Sequence, residues 1–236
     1  MGTLVAYQLE DSIATITMDD GKVNVMSLPM LAELNAALDQ AAADRAVVVL
    51  SGRQGVFSAG FDLSVLRAGG SESIAMVRAG FELAERVLSF PMPVAIACTG
   101  HAVAMGVFLL LSGDYRVGAA GSYKLATNEV AIGLTMPRAA IEVLRQRLAP
   151  AYFNRAVTIA EPFSPDNAVE AGFLDRVVGA SQLQHIARST AVALSALDME
   201  AHAASKLRAR EHTLKAIRTA IDADYAAFRR PAMSHA

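Results

Sequence analysis

The sequence predicts one α/β domain with a helical C-terminal region, and three patterns point that way. Two runs near the start, residues 5–9 and 13–18, alternate apolar and polar side chains with the two-residue period of strands. Continuous apolar runs of strand length, 47–51 and 94–97, each follow a stretch whose apolar residues recur at three- and four-residue steps. From residue 182 to 228 the chain is rich in Ala, Leu, Lys and Arg, the composition of helices. With 236 residues, a positive mean hydropathy and no Pro/Gly/Ser-rich linker, the chain can bury one sizeable core. We place an α/β core at 1–178 and a helical region of the same domain at 179–236.

The polar turn Glu10-Asp11-Ser12 makes the first two strands a hairpin. Leu31, Leu34 and Leu38 fall at helical spacing, and the run ends before the buried-type strand 47–51. Residues 71–90 carry Ile74, Val77, Phe81, Ala84 and Leu88 along one stripe, which predicts an amphipathic helix leading to the strand at Val94. A helix-like segment, 105–112, and a short strand, 114–118, follow. Helices are then expected over 138–148 and 150–159, the second entered at Pro150, where a missing N–H costs nothing. Ser164 and Pro165 open another that stops at Gly172, before a short strand at 174–178. The tail, with Ile186, Leu194, Leu197, Leu207, Leu214, Ile217 and Ile221, predicts two or three helices, and 231–236 looks disordered.

The formal charge of −2, with Lys and Arg scattered, leaves no broad basic footprint for nucleic acid. The single cysteine, Cys98, lies in an apolar strand and suits a small core residue; one thiol excludes a disulfide within the chain. The first residues lack a basic segment followed by a long apolar core, and the apolar runs are too short for a membrane span, so a cytoplasmic location is expected. Five dispersed histidines and the Asp19-Asp20 pair without companions form no metal set. There is neither a P-loop nor a glycine-rich dinucleotide fingerprint after a strand.

The chemistry concentrates between Pro93 and Glu129. An apolar strand runs through Gly100 into the helical segment at Met105, and a lone carboxylate, Glu129, follows. A strand, a glycine turn and a helix start leave backbone N–H groups free at one spot, where the helix dipole favours negative charge. The segment 93–106 (PVAIACTGHAVAMG) resembles the second signature of the crotonase, or enoyl-CoA hydratase/isomerase, superfamily, and 57–62 (FSAGFD) resembles its first, the A-G-x-D loop. The stretches 20–27 (DGKVNVMS) and 171–178 (AGFLDRVV) extend the likeness over about three quarters of the chain.

The resemblance implies a crotonase-like spiral of ββα units with a helical C-terminal region, usually assembled as a homotrimer or dimer of trimers. It implies an acyl-CoA thioester substrate, with coenzyme A entering as part of that substrate and no other cofactor. Its two oxyanion donors map to the main-chain amides of Ala59 and Met105, and its second catalytic glutamate to Glu129. The nucleotide and pantetheine map to Lys22, Asn24 and Val25 and to the loop Ser58, Gly60, Phe61, Asp62 and Leu63. Asp62 also suits a loop-holding role. Gly106, Phe108 and Asn128 complete the expected pocket, and Lys206 or Arg210 would meet phosphates unless that helix face is simply solvated. His101, beside the turn, lacks a partner acid and suits a packing role.

Phe108 stands where the family carries its first glutamate. Adding water across a conjugated double bond is easiest with two carboxylates, whereas moving a double bond needs one base that carries a proton between two carbons. A phenyl ring cannot orient water but can line a dry acyl tunnel. The sequence therefore favours shifting a 3-enoyl-CoA double bond to the 2-position. A 2-enoyl-CoA hydratase and a non-catalytic acyl-CoA-binding homologue are the alternatives.

Overall fold

The structure, a computed structural model, describes residues 2–229; the segment 231–236 lies outside them. Its strands are β1 (Val5–Glu10), β2 (Ile13–Met18), β3 (Val25–Met26), β4 (Val47–Ser51), β5 (Gly55–Ser58), β6 (Gly60–Phe61), β7 (Val94–Cys98), β8 (Gly100–Val103), β9 (Tyr115–Ala119), β10 (Leu125–Ala126) and β11 (Arg176–Val178). Its helices are α1 (Leu28–Ala43), α2 (Leu63–Ala68), α3 (Gly70–Ser89), α4 (Met105–Ser112), α5 (Arg138–Arg145), α6 (Pro150–Ile159), α7 (Pro165–Ala171), α8 (Leu183–Ser195) and α9 (Met199–Phe228).

The chain coils through repeated turns, each giving one strand to a large sheet, one to a small sheet, and then a helix. The large sheet runs β1-β2-β4-β7-β9-β11, parallel except for the β1–β2 hairpin, and the small sheet runs β10-β8-β5, all parallel. Thus β4 leads through β5 to α2 and α3, β7 through β8 to α4, and β9 through β10 to α5. A third pair, β3 with β6, ties the entry segment to the loop after β5.

Strands β4 and β7 are buried along their whole length because the large sheet is covered on both faces. Val48, Leu50 and Ile96 belong to the main core with α1, α3 and α4, while Val47, Val49 and Ala97 pack against Leu183, Ala187 and Ala191 of α8. Alternation along a strand thus feeds two cores. The thiol of Cys98 is buried among them, and burial pushes its pKa up to about 12.

Local signals set the helix ends. Ser27 caps α1 by accepting from the Met30 N–H, Ser164 caps α7 by accepting from Asn167, and Gly172 stops α7 in a left-handed conformation. Helix α5 ends at Arg145, three residues before the expected end, and β11 starts at Arg176 rather than 174, because the Leu174 N–H goes back to Ala168 O in closing α7.

The tail forms two helices, and the longer one, α9, is bound by buried polar groups. Asp224, 5 % exposed, accepts from the Ala139 N–H at 3.0 Å and so caps α5, whose own N-cap residue, Pro137, has no capping side chain. Lys206 and Arg210, expected either to meet phosphates or to lie on a solvated face, do neither. The Lys206 Nζ is 2.6 Å from Asp114 Oδ2 and is buried, while Arg210 reaches Asp114 Oδ1 at 2.9 Å and donates to Leu88 O at 2.8 Å. Burial lowers the Lys206 pKa to about 8 even with Asp114 alongside. Among the described residues, no helix is long and apolar enough to cross a membrane.

Candidate active site

The small sheet assembles the site. Its strands are parallel and adjacent, so the segments leaving their C-terminal ends emerge side by side: residues 59–61 after β5, Met105 after β8, and Glu129 after β10. Ala126 pairs with Val103, and the Ala104 N–H donates to Ala126 O at 2.9 Å, which carries the ladder to the threshold of α4. Residues far apart in sequence meet there.

Met105 is the first residue of α4, and among the described residues its N–H has no protein acceptor, as expected of a helix start. Its position is set by the preceding Ala104, at φ 50° and ψ −122°, a left-handed conformation that favours glycine. Two glycines let the loops close on each other. A Cβ on Gly60, which has φ +89°, would sit 2.8 Å from Val103 O and 3.2 Å from Met105 N; a Cβ on Gly106 would sit 2.5 Å from Ser58 O. Residue types at these positions are therefore dictated by contact between backbones.

One expected donor is corrected. The Ala59 N–H donates to Val23 O at 2.9 Å, extending the pairing of β3 with β6, and is not available to a ligand. The motif locates the loop, but the chain turns at Gly60, and amide direction changes across a left-handed residue.

Glu129 begins a turn of 3-10 helix, Val130–Ile132, and its carbonyl accepts from the Leu134 N–H at 2.8 Å. The side chain is buried, and its Oε2 has no hydrogen-bond partner among the described residues. Desolvation raises its pKa to about 7, so the carboxyl exchanges a proton readily near neutrality.

These elements open onto a cavity of about 490 Å³. Ala59, Phe61, Leu63, Ala104, Phe108, Asn128 and Glu129 line it, as do Leu134, Thr135 and Pro137 of the following loop. Glu129 is the one ionisable side chain among the described lining residues. Phe61, Phe81 and Phe108 form an aromatic cluster on the wall, Phe61 edge-on to Phe81 and Phe81 tilted against Phe108, with centroids 6.2 and 5.6 Å apart along the series. The cavity's other lining residues, including Leu66, Ile74, Val77, Phe81 and Phe228, carry no sequence signal of that role, since the stripe on 71–90 has the same pattern as ordinary core packing.

Several expected contacts are structural. Asn24 is fully buried, its Nδ2 donating to Met18 O and Phe57 O and its Oδ1 accepting from Asp20 N, so it clasps two strands and cannot touch a substrate. Ser58 is equally buried, its hydroxyl bonded to Asn24 O and Gly60 N. Asp62 caps α2 through Ser64 and Val65, and those bonds, led by the Ser64 hydroxyl, hold its carboxyl below the usual range. Lys22 and Val25 lie outside the cavity lining, Lys22 exposed and Val25 paired with Gly60. His101 accepts from the Lys124 N–H and packs edge-on against Tyr123, which is the packing role. No group of three or more His, Cys, Asp or Glu among the described residues is placed to hold a metal ion.

With this geometry in view, residues 8–235 match the family model described as enoyl-CoA hydratase/isomerase. A human protein named mitochondrial enoyl-CoA delta isomerase 1 is 30 % identical over 90 % of this chain and 72 % of its own length. The crystal structure of an enoyl-CoA hydratase/isomerase family protein from Pseudomonas syringae superposes with a TM-score of 0.94 at 46 % identity, covering 95 % of this chain and 98 % of that one. A Mycobacterium tuberculosis structure titled as a probable enoyl-CoA hydratase has a TM-score of 0.93 at 47 % identity, covering 95 % and 96 % of the two chains. Another structure of that protein, titled as an enoyl-CoA isomerase, has 0.92 at 46 %, covering 96 % and 99 %.

Proposed function

Because the chain belongs to the enoyl-CoA hydratase/isomerase family, whose members are enzymes acting on acyl-CoA thioesters, we propose that it shifts the double bond of a 3-enoyl-CoA to the 2-position. The observation that carries this reading is that Glu129 is the one ionisable group among the described lining residues: it is buried among apolar walls, and Phe108, where the family pattern has a second acid, lines the same cavity.

The substrate's acyl chain lies in the apolar cavity with its thioester oxygen against the start of α4. Glu129, ionised, removes a proton from C2. The electron pair delocalises through the C3–C4 double bond and onto the thioester oxygen, giving a dienolate. The Met105 N–H and the helix dipole stabilise that oxygen, and the Phe61 N–H, beyond the turn at Gly60, replaces Ala59 as the second donor. Loss of one such donor commonly costs about 3 to 4 kcal/mol of barrier. Protonated Glu129 then delivers its proton to C4, the double bond comes to rest between C2 and C3, and the carboxylate is restored. One base on one face suffices, and a dry pocket keeps water from the intermediate. Coenzyme A is part of the substrate, its nucleotide toward exposed Lys22, and the working assembly is a homotrimer or dimer of trimers.

One observation favours a second reading: the Glu129 Oε2, unpartnered among the described residues and next to Asn128, offers a place for a water, as hydration of a 2-enoyl-CoA would need. Comparing isomerisation of a 3-enoyl-CoA with water addition to crotonyl-CoA separates the two. Faster isomerisation supports the proposal, and faster hydration overturns it.

A further inference from the structure

The cavity is not lined by the α/β core alone. Ile74, Val77 and Phe81 of α3 line it together with Phe228, the last residue of α9. The same four side chains also line a second void, of about 10 Å³, that continues between α3 and α9 toward Ile221 and Tyr225. The helices bordering this seam are held together. The Arg78 guanidinium lies 4.7 Å from the Tyr225 ring centroid, and Asp224 is tied to the start of α5. Phe228, by contrast, is 47 % exposed, one turn beyond that anchor. A large, half-exposed apolar ring thus stands between a cavity and its apolar continuation.

We propose that Phe228 sets the length of acyl chain the enzyme accepts, stopping the terminal methyl in the wild type and screening the α3–α9 seam from longer chains. The inference rests on the reading that the cavity takes an acyl-CoA. Phe228 touches the chain's end and no reacting atom, so it selects substrates without entering the chemistry. Truncating it joins the cavity to the seam, whereas enlarging Ile74, which is only partly buried and lines both spaces, shortens the cavity.

The test is calorimetric binding of saturated acyl-CoAs of increasing length, which cannot be isomerised, to the wild type, Phe228→Ala and Ile74→Phe. Turnover of matching 3-enoyl-CoAs is measured separately. For Phe228→Ala the affinity should keep rising beyond the wild-type optimum, by about fourfold for each further methylene buried. For Ile74→Phe the optimum should move to shorter chains. If the wild type binds acyl-CoAs but neither variant alters the order of lengths, the inference is overturned and the isomerase reading stands. If the order shifts while no 3-enoyl-CoA is isomerised, the inference stands and the isomerase reading falls. Absence of acyl-CoA binding at every length overturns both.

Discussion

Replacing Glu129 with Gln should stabilise the protein in a pH-dependent way while abolishing turnover. The carboxyl has an ordinary pKa of 4.5 in the unfolded chain and one raised to about 7 in the fold by desolvation. Between those values the native state holds a proton that the unfolded state has released, so stability falls as pH rises through the window and levels above about 7. At about 1.4 kcal/mol per pKa unit, the shift corresponds to roughly 3 kcal/mol of stability withheld at alkaline pH, most of it lost between about pH 5 and pH 8. A glutamine amide does not titrate, so the Glu129→Gln variant escapes this loss. For a chain of this size the gain in Tm over the wild type should be about 5–10 °C larger at about pH 8 than at about pH 5. Scanning calorimetry of both proteins across that range reads the difference. A Tm difference that does not change with pH would mean that Glu129 is not a desolvated acid, and the case for it as the base would fail.

Other expectations follow from the same geometry. The pH profile of kcat/KM should rise about tenfold per unit on the acid side and level near pH 7, because the base must be ionised; a flat profile from about pH 5 upward contradicts this. Gly60→Ala should lower kcat/KM by about a hundredfold or more with circular dichroism unchanged, since its Cβ would press on Val103 O and crowd the Met105 amide. Ala104→Gly should raise stability to denaturant by about 1 kcal/mol by relieving a left-handed alanine, and an unchanged or lower midpoint would count against strain there. Asp114→Ala should cost about 3–5 kcal/mol by stranding Lys206 and Arg210, whereas Lys206→Met should leave KM for the CoA ester unchanged; a rise in KM would restore Lys206 as a phosphate contact.

The sequence made legible whatever repeats with a period or carries a local signal. The hairpin, α1, α3, β4, β7 and the Ser164 cap were readable because each satisfies its pattern within a few residues. The pairs β3–β6 and β10–β8 were not, since two residues are too few to show alternation and their order comes from long-range pairing. At the site, the positions of Glu129 and Met105 follow from the motifs, but whether the Ala59 N–H is free depends on its long-range bond to Val23 O, which the A-G-x-D pattern does not encode. Lys206 and Arg210 looked like a solvated face because their partner, Asp114, lies 92 residues from Lys206. Phe228 gave no signal because it reaches the cavity only through the docking of α9 on α3.

The central claim is that a single carboxylate moves one proton between two carbons of a bound thioester. Incubating the enzyme with a 3-enoyl-CoA in deuterated water and locating the label by NMR tests it most directly. The account predicts a 2-enoyl-CoA whose C4 has received mainly the protium taken from C2, with any solvent deuterium confined to C2 and C4, and no 3-hydroxyacyl-CoA during the main phase. A 3-hydroxyacyl-CoA as the principal product, or isomerisation that persists when Glu129 is replaced by Gln, would contradict it.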